Sequence, residues 1–269
     1  MAKYKKKRIR ELQHDRFRDT TMKVLERLGD RLEGKGHAIL YSVGGIILIA
    51  IIAGFWVMWS NKKKDEARQA LGRGITIATA PVATVSTDSS SPSFATTMER
   101  AQSAIQEFEK VAAKYGDPYR SEAQYFIATN LLEVDREKAI AQLAELSNSK
   151  VTAIGTLSKF ALAQAKEADQ NYVEAAQLYD ELAKLNDVVV TPETAKLRLA
   201  LVHAKQGKTN EAADLLYSIV DASRKARGAD GLPKPASGAA REAARELQKL
   251  DPDRYAQLPP EPPGAGMVL

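Results

Sequence analysis

No cysteine occurs among the 269 residues of this chain. Disulfides, thiolate nucleophiles and cysteine-ligated zinc are therefore excluded, while either side of a membrane remains open. Histidine is nearly as scarce. His14, His37 and His203 are scattered, and His203, in LVHAKQG, reads as a packed or surface side chain. There is no HExxH, GxSxG or Walker A spacing, and Gly72-Arg73-Gly74 lacks the later glycine and the preceding strand of a dinucleotide loop. Acid pairs such as Glu107/Glu109 and Asp180/Glu181 fall on polar helical faces, where solvation accounts for them. No catalytic, metal-ligating or cofactor-binding residue is assigned, and the expectation is a non-enzyme without a cofactor.

An excess of basic charge over the bulk of the chain is also missing. The overall net charge is +5, but residues 1–37 alone net +6, with twelve Lys/Arg against six Asp/Glu, and Lys62, Lys63 and Lys64 add three more. Residues 65–269 are left at −4. A basic stripe for nucleic acid is thus absent from the large domain, and none is expected as a partner.

Long apolar runs are absent with one exception. Ile39 to Trp59 reads ILYSVGGIILIAIIAGFWVMW without a charge, and as a helix would be about 31 Å long, the thickness of a bilayer core. Tyr41, Trp56 and Trp59, with Lys62, Lys63 and Lys64, are placed as interface anchors. Five Lys/Arg flank each end of the run, but the head adds seven more, which predicts an N-terminus inside. Ala50 and Gly54 form a small-xxx-small pair, a candidate face for helix contact in lipid. Before the run, Phe17, Val24, Leu25, Leu28 and Leu32 share one face of an amphipathic helix, which Gly34-Lys35-Gly36 interrupts.

After the run, residues 65–80 predict a helix weakened at Gly72 and Gly74, and the Ser/Thr/Pro-rich residues 81–93 predict a flexible tether. Then the chain repeats itself. Ala104, Ala139, Ala175 and Ala212 stand 35, 36 and 37 residues apart. Four residues on come Phe108, Leu143, Tyr179 and Leu216, and three further Val111, Leu146, Leu182 and Ile219. A small residue lets a partner helix cross closely, and large residues at +4 and +7 fill the space beside it. Three of these helices follow a partner helix carrying Phe126-Ile127, Leu162-Ala163 or Leu199-Ala200. The segment resembles tetratricopeptide repeats, although the repeat's Trp, its Gly after Leu and its terminal Pro are largely missing. The fold class expected is all-α: one N-terminal transmembrane helix, then a tetratricopeptide-like solenoid of helical hairpins.

The domain reading follows: 1–37 basic head with amphipathic helix, 38–60 transmembrane helix, 61–93 emerging helix and tether, 94–222 repeats, 223–250 loop and capping helix, 251–269 disordered Pro/Gly-rich tail. In such a stack the first helix of each hairpin lines the concave side. Gln124, Ala128, Leu131, Phe160, Gln164, Leu197, Leu201 and Lys205 are the candidate groove, a mixture of apolar and amide groups suited to polypeptide. The alternative that Phe160, Leu197 and Leu201 belong to the core stands beside it.

The basic head, the span ending in FWVMW, the helix in DEARQAL and the degenerate hairpins together resemble the ancillary subunit of the bacterial Sec translocon. The longer head and the Pro-rich tail depart from that layout. The resemblance implies a single-pass protein of the bacterial inner membrane with a periplasmic repeat domain. Its implied partners are the Sec translocon, emerging polypeptides and periplasmic chaperones. KYGDPYRSEAQYFIA is also similar to repeats of envelope proteins of outer-membrane assembly and cell division. Alternative expectations are a self-association module (a homo-oligomer) in another envelope complex, and a cytoplasm-facing regulator.

Overall fold

A computed structural model describes residues 62–82, 92–229 and 231–261. The predicted span, with Tyr41, Ala50, Gly54, Trp56 and Trp59, lies outside the described residues, as do residues 1–37 and 262–269. Among the described residues no helix is long and apolar enough to cross a membrane. Residues from Glu66 onward form one compact unit.

That unit is an all-α stack of helical hairpins. Residues 62–78 form α1. Then come α2 (Thr97–Lys114), α3 (Tyr119–Leu131), α4 (Arg136–Leu146), α5 (Thr152–Ala168), α6 (Tyr172–Lys184), α7 (Pro192–Lys205), α8 (Thr209–Lys225), α9 (Gly238–Leu250) and the short α10 (Pro252–Ala256). Several starts are written in side-chain caps, which satisfy amide donors that the first helical turn leaves free. The Thr96 hydroxyl accepts from the Glu99 amide at 3.1 Å, and Glu99 returns a carboxylate to the Ala95 amide. Asp135, Thr191, Ser237 and Asp251 cap α4, α7, α9 and α10 in the same manner.

Helices pack in chain order, each against its neighbours. The core is a row of linked clusters, each drawn from a hairpin and the helix that follows. Ala70, Leu71, Phe108, Val111 and Ala123 join α1, α2 and α3. Ala128, Leu143, Ala161 and Leu162 join α3, α4 and α5. Ala163, Tyr179, Leu182, Ala195 and Val202 join α5, α6 and α7. Leu197, Leu216, Ala240, Leu247 and Leu258 join α7 to α9 and the C-terminal turn. Burying each large side chain contributes about 1.5–3 kcal/mol. Exposed pairs such as Lys184–Asp180 and Lys225–Asp221 are screened by solvent and contribute little, so the clusters decide the fold.

Two expectations need correction. The helix at 62–78 does not lead to the stack but belongs to it. Ala67, Ala70 and Leu71 of α1 are buried, and α1 is the first helix of the first hairpin. Residues 83–91 of the expected tether lie outside the described residues, and on either side of them a bridge links Val82 to Phe94 and the Arg100 guanidinium donates to the Ala80 carbonyl at 3.2 Å. Nor is the chain from residue 251 to 261 a disordered tail. Asp251 caps α10, Leu258 is buried in the last cluster, and Arg224 donates to the Pro259 carbonyl. Arg254 ties the turn to Asp214 of α8 at 2.6 Å. The capping helix expected over 239–250 is observed as α9.

Gly74 shows why α1 fits. A Cβ there would lie 2.5 Å from Cε1 of Phe108, whose ring is fully buried and stacked on Phe126 at 4.9 Å. At Gly72 a Cβ would meet nothing within 4 Å. Gly74→Ala is expected to destabilise the fold by about 1–3 kcal/mol through overpacking, despite alanine's better helix propensity. Gly72→Ala is expected to stabilise it by up to about 1 kcal/mol. Urea unfolding of both variants checks the pair, and equal effects would mean that α1 does not cross α2 at Gly74.

Candidate functional site

The small residues of the repeat are all at the helix crossings. Ala104, Ala139, Ala175 and Ala212 are fully buried, as are Phe108, Leu143 and Tyr179, with Leu216 at 1% exposure. Of the candidate groove residues, Gln124, Gln164 and Lys205 are exposed, on α3, α5 and α7 respectively. Phe160 and Leu201 are half-buried and pack on the core from its edge. Ala128, Leu131 and Leu197 are buried and do not line an open groove. The reason is packing by the next hairpin: Ala128 meets Ala161 and Leu162 of α5, and Leu197 lies in the cluster with Ala240 and Leu247 of α9. Lys62, Lys63 and Lys64 are exposed on the first described turn of α1.

One of these exposed residues leads to a buried polar cluster that the repeat pattern does not reveal. Lys205 Nζ donates to Glu167 Oε1 at 2.7 Å. Arg198 Nη2 donates to Glu167 Oε2 at 2.7 Å, and the Tyr179 hydroxyl donates to the same oxygen at 3.0 Å. Glu167 comes from α5, Tyr179 from α6, and Arg198 and Lys205 from α7. The Tyr179 ring is covered on its edge by Phe160 at 5.8 Å and carries the Arg198 guanidinium at 5.9 Å. Phe108, Leu143 and Leu216 hold the same repeat position in the other hairpins, and the phenol here provides the additional hydrogen bond. The α5 and α7 backbones approach less closely than those of α3 and α5 or of α7 and α9. The long charged side chains span that seam.

The electrostatics follow from burial and pairing. Glu167 is 6% exposed. Burial pushes its carboxyl up, but the Lys205 hydrogen bond, the Arg198 charge and the Tyr179 hydroxyl outweigh burial and hold it below the ordinary carboxylate range. Burial drives the Tyr179 phenol well above its usual range, so it stays protonated and remains a donor at neutral pH. Arg198 Nε is buried without a hydrogen-bond partner.

Neither Glu167 nor Arg198 stands out in the sequence, because an acid near a helix end reads as solvated. The available signal is spacing. Lys205 follows Glu167 by 38 residues, close to one repeat, and Arg198 precedes Lys205 by seven, two helical turns along one face. Among the described residues no three His, Asp or Glu side chains gather into a group able to hold a metal ion. The arrangement offers an exposed amide, a half-buried apolar shelf and two cations around one sequestered carboxylate. These are groups for binding.

No protein-family model matches the chain, and no curated protein matches it. Among solved structures, the chain is similar to one from Podosopora anserina described as kinesin light chain nearly identical TPR-like repeats. The identity is 18%, the coverage 59% of this chain and 81% of that one, and the TM-score 0.45.

A carboxylate whose pKa is lowered on folding contributes stability that is full above its unfolded value of about 4.3 and is lost as pH falls through the lower folded value. Glu167→Gln is therefore expected to be less stable than the parent at pH 7, with the difference shrinking below pH of about 4. Thermal midpoints of both chains across that range check this. A difference that does not change with pH would mean that Glu167 is not charged in the folded chain.

Proposed function

We propose that this chain is a membrane-anchored, tetratricopeptide-like scaffold that binds polypeptide, working beside a Sec translocon in the bacterial inner membrane. There it passes emerging chains to periplasmic chaperones. The observation that supports binding is the row of Gln124, Gln164 and Lys205, exposed on successive first helices and flanked by Phe160 and Leu201. Amides pair with the backbone of an extended segment, and the apolar edge takes its side chains. The apolar run at 39–59 and the basic head support an anchor with its N-terminus in the cytoplasm. A stack anchored this way meets translocated chains at raised effective concentration, so weak binding suffices and release stays easy.

For the groove, anisotropy of a fluorescent unfolded polypeptide titrated with the full chain in detergent is the measurement. Phe160→Ala is expected to weaken binding about tenfold, roughly 1.4 kcal/mol. Gln124→Ala with Gln164→Ala, both on exposed positions, should weaken it without changing the circular dichroism. Unchanged binding in both variants would remove the groove from the proposal.

For topology, Val188 is 92% exposed in a chain without cysteine, which makes Val188→Cys a clean reporter. A membrane-impermeant thiol reagent is expected to label it in intact spheroplasts. Labelling only after lysis would place the stack in the cytoplasm.

A further inference from the structure

The seam between α5 and α7 carries more positive charge than its own acid neutralises. Arg198 and Lys205 leave one face of α7, two turns apart. Both meet a single carboxylate, Glu167. A guanidinium has five N–H donors and an ammonium has three. One Nη2 bond from Arg198 and one Nζ bond from Lys205 go to Glu167, and Arg198 Nε finds no acceptor. The two cationic side chains are 30% and 49% exposed, whereas the carboxylate is 6% exposed. The acid is thus satisfied from within the protein, and one unit of positive charge faces outward. Neighbouring groups do not offset it. Lys166 on α5 pairs with Glu174 of α6 at 2.7 Å, and His203 on α7 is directed to the Gln206 side chain at 3.3 Å. Beside the cations lie Leu201, half-buried between them on α7, and Gln164, exposed one turn before Glu167 on α5.

We infer that this seam selects acidic segments of the bound polypeptide. A side-chain carboxylate of the guest takes the remaining Nη donors of Arg198 and the spare Nζ donors of Lys205, the buried Nε staying out of reach, while an adjacent apolar residue of the guest lies on Leu201. Gln164 is left to pair with the guest backbone. The inference rests on the polypeptide-binding reading above and names its ligand class. The occupant is argued from charge complementarity: a surplus of one cation beside an amide and an apolar shelf suits a carboxylate on a peptide. A polyanionic backbone would require a row of such cations. Glu167 competes with the guest for the same donors. It therefore limits affinity, and removing its charge should strengthen binding, although it should weaken the fold.

The test uses the full chain in detergent and two fluorescent peptides of about twelve residues. One alternates Asp, Leu and Ser, and the other has every Asp replaced by Asn. The acidic peptide is expected to bind about tenfold tighter than its Asn counterpart at low salt, with the difference shrinking as salt rises. Lys205→Glu, on an exposed side chain, should abolish the preference. Glu167→Gln should strengthen acidic-peptide binding several-fold. A structural network alone would not raise affinity when disrupted. If Glu167→Gln does not fold by circular dichroism, Lys205→Glu decides, since a preference that survives it overturns the assignment. Equal binding of the two peptides overturns acidic selectivity and leaves polypeptide binding standing. Binding of neither peptide overturns both.

Discussion

Close crossing of paired helices is the constraint on which the rest of this structure depends. At Ala104, Ala139, Ala175 and Ala212 a small side chain is fully buried, which lets the paired helices come close. Only because the backbones come this near can Phe108, Leu143, Tyr179 and Leu216, one turn on, fill the space beside the crossing. Gly74 takes the same logic further, since the Phe108 ring occupies the volume of the missing Cβ. The outward positions on the first helices are then free to carry amides and charges, because they contribute little to holding the stack together.

The crossings were legible from sequence because the pattern recurs, and a spacing of 35 to 37 residues seen three times across four helices is hard to produce by chance composition. The first hairpin was harder to read. A Ser/Thr/Pro-rich stretch of sequence separates its two helices, and Gly72 and Gly74 look like weak points in α1 until Phe108 is seen against one of them. Helical periodicity shows which side of α3 or α7 a residue occupies. It does not show how far the next hairpin covers that side, which is why Ala128 is expected in the groove and Leu197 in either place, while both are core. Glu167 was missed for a related reason. Its burial is produced by partners 12, 31 and 38 residues later, and no local window contains them. At the C-terminus the Pro/Gly-rich composition suggests a disordered tail, whereas Asp251 followed by Pro at the first helical position also begins a helix, and here it does so.

The seam between α5 and α7 differs in kind from the other contacts in the stack. Elsewhere the buried contact between successive hairpins is alanine, leucine and aromatic surface, which is non-directional and tolerates small shifts, with polar links such as Arg136–Asp169 nearer solvent. At this seam a buried carboxylate requires particular donors at particular distances. Replacing such a cluster with apolar groups is often neutral for stability, so its presence points to a role in geometry or recognition. Tyr179 ties the two roles together, because one ring packs the core and its hydroxyl orients the carboxylate.

The serial core has a consequence for how the molecule comes apart. Each cluster is shared by three successive helices, and none spans the whole stack. Loss of a terminal helix therefore uncovers one cluster and leaves the others closed, so fraying starts at the ends and proceeds inward. Amide exchange should be slowest in α5 to α7, where apolar contacts and the Glu167 cluster coincide, and faster toward α1 and α10. The proposed polypeptide-binding face thus includes the part of the stack that opens last.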